Sequence, residues 1–201
     1  MAEPIYLPGA TTVGLVFKDG VLLVSEKRLA YGSFVLSKAV KKVFIVSEHI
    51  GAACAGLVSD MQSIVRSVAA HVKLLELDTG TRASVKSAAK LMSALLFERR
   101  LFPLLTQTLV AGVDEEGPSL YVLDPLGSVI KDDYATVGSG SEVAIGLLEA
   151  GYRKDMDLEV AKELAVKGMR SAMARDAASG DGIDILIVTS EGVSEEYLSV
   201  R

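Results

Sequence analysis

The run Gly9-Ala10-Thr11-Thr12-Val13-Gly14-Leu15-Val16-Phe17-Lys18-Asp19-Gly20-Val21-Leu22-Leu23-Val24 sets the architecture of this chain. β-branched and apolar residues fill Thr11 to Phe17, and an Asp-Gly pair then separates them from a second apolar run, which is a short-range hairpin signal. Lys41 to Val46 and Ile50 to Ala55 read as a second strand pair. The period then changes: Met61, Ile64, Val65, Val68, Val72 and Leu75 recur at helical spacing, and Asp78-Thr79-Gly80 ends that helix. A second helix carries Val85, Ala88, Met92, Leu95 and Leu96 and stops before Pro103. Strands return at Thr106 to Val113, Leu120 to Leu123 and Ala135 to Val137. Ser141 is placed to cap a helix through Leu148, a longer helix runs from Leu158 to Ala174, and Ile183 to Val188 is a late strand. Strands and helices thus come in separate runs, which points to an α+β fold rather than to alternating βαβ units. Two antiparallel sheets between helix pairs, an αββα sandwich, is the simplest way to bury every apolar face.

At 201 residues the chain suits one domain. Half of it is hydrophobic and its mean hydropathy is +0.37, enough for a large core and a hint of apolar faces covered by other subunits. Its stretches fall short of the roughly 18 unbroken apolar residues a membrane span needs, so no membrane partner is expected. The first ten residues lack the basic and apolar regions of a secretory signal. A net charge of −5 without a Lys/Arg cluster argues against nucleic acid. Cys54 is the lone cysteine, which fits a reducing, cytoplasmic setting, and with only His49 and His71 there is no set suited to a metal.

Pro8-Gly9-Ala10-Thr11 also reads as the point where a leader, residues 1–9 or 1–10, would be cut to free an N-terminal nucleophile, leaving residues 10–201 as the domain. Such a residue attacks with its side chain while its own freed amine, with an ordinary pKa of about 7.7–8.0, serves as the base. A glycine before the cut lets the backbone take a tight path.

Several segments, in order and at family spacing over nearly the whole chain, closely resemble archaeal proteasome β subunits. They are Gly9-Ala10-Thr11-Thr12-Val13-Gly14, Ser25-Glu26-Lys27-Arg28, Lys41-Lys42, Ala55-Gly56-Leu57-Val58-Ser59-Asp60, Gly138-Ser139-Gly140-Ser141, and Arg175-Asp176-Ala177-Ala178-Ser179-Gly180. The resemblance implies the four-layer fold of N-terminal-nucleophile hydrolases. It implies heptameric β rings, homomeric or mixed with a second, active β type, stacked between α-type rings, with unfolded polypeptides as substrates and no cofactor. Carried over, Glu26 matches the acid that orients the catalytic lysine, and Lys42 that lysine. Asp176, Ser139 and Ser179 match the residues that hold protons around the terminal amine. Gly56 matches the oxyanion glycine, Arg28 a structural partner of the acid, and Leu29, Val40, Cys54 and Val58 the specificity pocket. A cation beside a nucleophile favours the alkoxide and a neutral amine.

The departure is at the nucleophile, where Ala10 stands in place of threonine. Thr11 lies one residue on, and in a strand that turns its side chain to the opposite face, away from Lys42. The implied reading is a silent threonine-endopeptidase subunit that keeps its leader, either a natural non-catalytic subunit or a threonine-to-alanine variant. The alternatives are Thr11 freed as nucleophile, or a related amidohydrolase. Taken singly, Lys42 and Glu26 read as a surface ion pair, Asp176 and Ser179 as turn residues, and Gly138-Ser139-Gly140 as a helix cap. Cys54 reads as a core or pocket-wall residue, His49 as a loop residue and His71 as a helix-surface residue.

Overall fold

The computed structural model describes residues 9–200. Of the leader expected at 1–9 or 1–10, all but Gly9 and Ala10 lies outside the described residues.

The opening hairpin forms as its pattern dictates. β1 (Thr11–Phe17) and β2 (Gly20–Glu26) pair antiparallel, with Phe17 opposite Gly20 across Lys18-Asp19. The Asp-Gly pair marks that hairpin, with Asp19 in the turn and Gly20 opening β2. Neither residue takes a positive φ. Gly20 is glycine because a Cβ there would sit 2.1 Å from the carbonyl oxygen of Val188.

A short hairpin follows, β3 (Leu29–Tyr31) with β4 (Phe34–Ser37). Then come β5 (Val43–Ser47) and β6 (Ile50–Gly56), and helices α1 (Val58–Thr79) and α2 (Val85–Glu98). After them come β7 (Thr106–Asp114), β8 (Gly117–Leu123), β9 (Val129–Asp132) and β10 (Tyr134–Gly138). Helices α3 (Ser141–Gly151) and α4 (Leu158–Met173) precede β11 (Ile183–Thr189) and β12 (Gly192–Leu198). One five-stranded sheet has the order β10-β1-β2-β11-β12, the other β5-β6-β7-β8-β9, and every pairing is antiparallel.

Three apolar layers hold these elements together. Ile50, Ala52, Cys54 and Val110 pack against Met61, Val65, Val68 and Met92 of α1 and α2. Val21, Leu23, Ala53, Leu109, Leu120 and Leu186 fill the space between the sheets. Val13, Leu15, Leu22 and Ile185 pack against Leu148, Ala161, Ala165 and Met169 of α3 and α4. Each fully buried Leu or Ile in these layers contributes about 1.5–3 kcal/mol. The small residues of α4 let it close on α3: a Cβ at Gly168 would lie 3.5 Å from the Ala144 carbonyl oxygen. The fold is the four-layer αββα sandwich of N-terminal-nucleophile hydrolases.

Some local expectations change. Leu75 fits the apolar period of α1, yet it is half exposed, because the stripe that meets the sheet ends at Val72. Ser141 is the first helical residue of α3, and the cap position belongs to Gly140. His49 is buried within its turn: its imidazole bridges Ser47 Oγ at 3.2 Å and the Ala83 carbonyl at 2.7 Å.

Candidate active site

The period of two in β1 sorts the residues after Gly9 onto two faces. Ala10 joins Val43, Ala53, Ala55 and Val137 between the sheets, while Val13 and Leu15 face α3 and α4. Ala10 is itself 1% exposed. Its N–H donates to Ser139 Oγ at 3.1 Å, and its carbonyl accepts from the Gly140 N–H at 3.4 Å. Gly9, just before it, leaves no room for a side chain: a Cβ would lie 2.3 Å from Ala178 Cβ and 2.5 Å from Ser139 Oγ. Gly138 takes φ 99, and a Cβ there would meet the Ala10 carbonyl oxygen at 2.1 Å. Glycine is thus required on both sides of this junction by close backbone approach.

Lys42 and Glu26 form an ion pair, as their types suggest, but a buried one, 1% and 0% exposed. The surface-pair reading is corrected by where their strands run: Lys42 immediately precedes β5 and Glu26 ends β2, paired with the first residue of β11. A buried carboxylate survives only when its lone pairs are met, and Glu26 accepts four donors. Lys42 Nζ and the Thr11 N–H (3.3 Å) meet Oε1, and the N–H groups of Arg28 (2.6 Å) and Gly180 (3.1 Å) meet Oε2. Lys42 also donates to the Arg28 carbonyl at 2.6 Å. Burial pushes the Lys42 ammonium below its ordinary value, and the neighbouring Glu26 carboxylate opposes that fall. Burial likewise pushes Glu26 up, against the pull of Lys42.

Asp176, Ser179 and Ser139 come together from the end of α4 and the loop before α3. Asp176 Oδ2 accepts from Ser139 Oγ at 2.6 Å and from Ser179 Oγ at 2.7 Å. The Thr11 hydroxyl lies 2.7 Å from Ser179 Oγ. A hydroxyl has one proton, and that of Ser179 goes to the carboxylate, so Thr11 is the donor in this pair. Thr11 is fully buried.

Gly56 ends β6 at φ 131, where a Cβ would meet the Leu105 carbonyl oxygen at 2.1 Å. With Gly9, Ala55, Leu105, Thr106, Gln107, Pro125, Gly138 and Ser139 it lines a cleft of about 300 Å³.

The four residues matched to a specificity pocket do not sit together in this cleft. Leu29 and Val40 are half-buried near the short hairpin, and Val58 packs on the α1–α2 core. Cys54 offers no surface at all: it belongs to that core, its thiol 3.6 Å from Thr108 Oγ1, and burial pushes it up to about 12. Its side chain alternates onto the helix face of β6, a consequence of register that the motif alone does not carry. Among the described residues no group of His, Cys, Asp and Glu could hold a metal, and no helix is long and apolar enough to cross a membrane.

Two participants were not singled out from sequence. Gln107 Oε1 accepts the Gly138 N–H at 2.9 Å and ties the second sheet to the Ser139 loop. Asp181 pairs with Arg28, Nε to Oδ2 at 2.7 Å. Its place between Gly180 and Gly182 was the one signal available.

A family model described as "Proteasome subunit" matches residues 7–188. The chain is 46% identical over 201 residues to "Proteasome subunit beta 2" of Pyrobaculum arsenaticum, covering 100% of this chain and 98% of that protein. It is 49% identical over 190 residues to "Proteasome subunit beta 2" of Thermofilum pendens, covering 94% and 93%. With "Proteasome subunit beta 1" of Nitrosopumilus maritimus it shares 46% over 191 residues, covering 95% and 96%. With the layered sandwich and this likeness along its full length, the chain belongs to the proteasome subunit family, as an archaeal-type β subunit of the core particle that assembles with other proteasome subunits.

Proposed function

We propose that this β subunit is a catalytically silent member of its ring. It would keep its leader and supply scaffold to a particle whose threonine-endopeptidase activity comes from a second β type. The observation that carries this reading is Ala10: it follows Gly9, which lines the cleft, and precedes Thr11, whose N–H donates to Glu26, and a methyl group cannot attack a carbonyl. In this reading Glu26 and Lys42 keep the electrostatics of a nucleophile site, and Asp176, Ser139 and Ser179 keep its proton relay. Gly56 supplies the oxyanion donor. Rings of β subunits between α-type rings would confine the chemistry in a cytoplasmic barrel and keep folded proteins from it.

Thr11 is a poor substitute. Its hydroxyl proton is given to Ser179, and it stands on the face of β1 opposite Ala10. A cut before Thr11 would also remove the Ala10 amide that Ser139 holds. The intact mass of the chain purified from the assembled particle tests the proposal. Retention of residues 1–9 supports silence, and a mass lacking them contradicts it.

A further inference from the structure

We propose that Asp181 is a positioning residue: paired with Arg28, it clamps the Asp176–Gly182 loop so that Ser179 Oγ and the Gly180 N–H reach their partners in the site. The second half of this inference, that the clamp matters to chemistry, rests on the functional reading above.

Three observations carry it. First, Asp181 is one of two non-glycine residues with positive φ among the described residues, at φ 71. That backbone region favours glycine, and a side chain held there needs a compensating contact. Second, the contact is a two-point pair with a guanidinium, Arg28 Nε to Oδ2 at 2.7 Å and Nη2 to Oδ1 at 3.3 Å, both side chains mostly buried. The remaining arm, Nη1, donates to the Ala177 carbonyl at 2.9 Å, so one side chain grips the loop on both sides of Ser179. Third, the guanidinium fills the space where Gly180 has no side chain: a Cβ at Gly180 would lie 2.4 Å from Arg28 Nη2.

The loop held this way is the one that meets the site. Gly180 donates to Glu26 Oε2 and accepts from the Lys27 N–H at 3.1 Å, while Ser179 bridges Thr11 and Asp176. Arg28 and Glu26 are two residues apart at the end of β2, so one segment sets both the acid and the clamp. The Arg28 guanidinium also holds the Asp181 carboxyl below its ordinary value.

Asp181→Gly tests this, because glycine accepts φ 71 without strain while the clamp is lost. Amide hydrogen exchange is read on the chain as it stands. Ser179 and Gly180 are expected to exchange about tenfold faster or more, with the amides of β1 and β11 unchanged, and Asp181→Asn is expected to recover part of the protection. The same exchange in Asp181→Gly as in the parent overturns the proposal. In an Ala10→Thr background that cleaves peptides, Asp181→Gly should lower kcat about tenfold at unchanged KM, with Asp181→Asn restoring most of it. Unchanged kcat there overturns the clamp's chemical part. An Ala10→Thr chain without activity contradicts the silent-nucleophile reading instead, and the exchange result still decides the clamp.

Discussion

The Thr11 hydroxyl donates to Ser179 Oγ at 2.7 Å, on the face of β1 opposite the cluster that buries Ala10. Neighbouring residues are therefore committed to opposite sides of one strand. Thr11 belongs to the hydrogen-bond frame around Ser179 and Asp176, and in the proposed reading position 10 is the one meant for attack.

From this it follows that Thr11→Val should leave peptide hydrolysis by the purified chain at the parent level. It should cost about 1 kcal/mol of stability, the typical worth of one buried hydrogen bond. Denaturant unfolding and a peptide assay, run together, check both parts. A Thr11→Val chain that loses measurable activity would make Thr11 the nucleophile.

Removing one partner of the buried pair should be far more costly. Lys42→Met leaves the Glu26 carboxylate at the base of β1 without its cation and is expected to cost about 3–5 kcal/mol. For a chain of this size that lowers the thermal midpoint by roughly 10 °C. A shift of a degree or less would mean that water reaches Glu26 and that the pair is not sealed.

Much of this was legible beforehand, and the exceptions have physical causes. The opening hairpin, α1, α2, α4 and β11 announce themselves because each buries a full apolar face. The missed strands β9 and β12 are short or charged edges: Lys131 and Asp132 end one, while Glu195 and Glu196 lie in the other. The hairpin β3–β4 leaves Phe34 and Leu36 exposed, so its apolar residues do not follow a core period. The family resemblance led to Glu26, Lys42, Ser139, Asp176 and Ser179, and the fold brings them within one hydrogen-bonded network. Cys54 reads as a core or pocket-wall residue and lies in the α1–α2 core, while the Arg28–Asp181 pair, which joins positions 153 residues apart, has no signal of its own.

Gly9 should tolerate no side chain. Gly9→Ala drives a methyl group into Ala178 and Ser139, and overpacking of this kind is expected to cost about 1–3 kcal/mol. The unfolding midpoint of the purified variant checks it, and an unchanged midpoint would show that the junction yields.

The Arg28–Asp181 pair gives a pH dependence with a definite sign. Asp181 is held below its ordinary value of 3.8, so its stabilisation is present above that pH and is lost as pH falls through the lower folded value. The stability gap between the parent and Asp181→Asn is expected to be about 1 kcal/mol at neutral pH and to close as pH falls through the lowered folded value. A gap that stays constant as the carboxyl is protonated would show that the carboxylate charge contributes nothing.

The silence of Ala10 is tested most directly by Ala10→Thr in the assembled particle, with the intact mass of the subunit as the readout. If Ala10 is the missing nucleophile in an otherwise complete site, the chain will lose residues 1–9 and begin at the substituted threonine. Retention of the full leader by Ala10→Thr, in a particle that assembles normally, would contradict it.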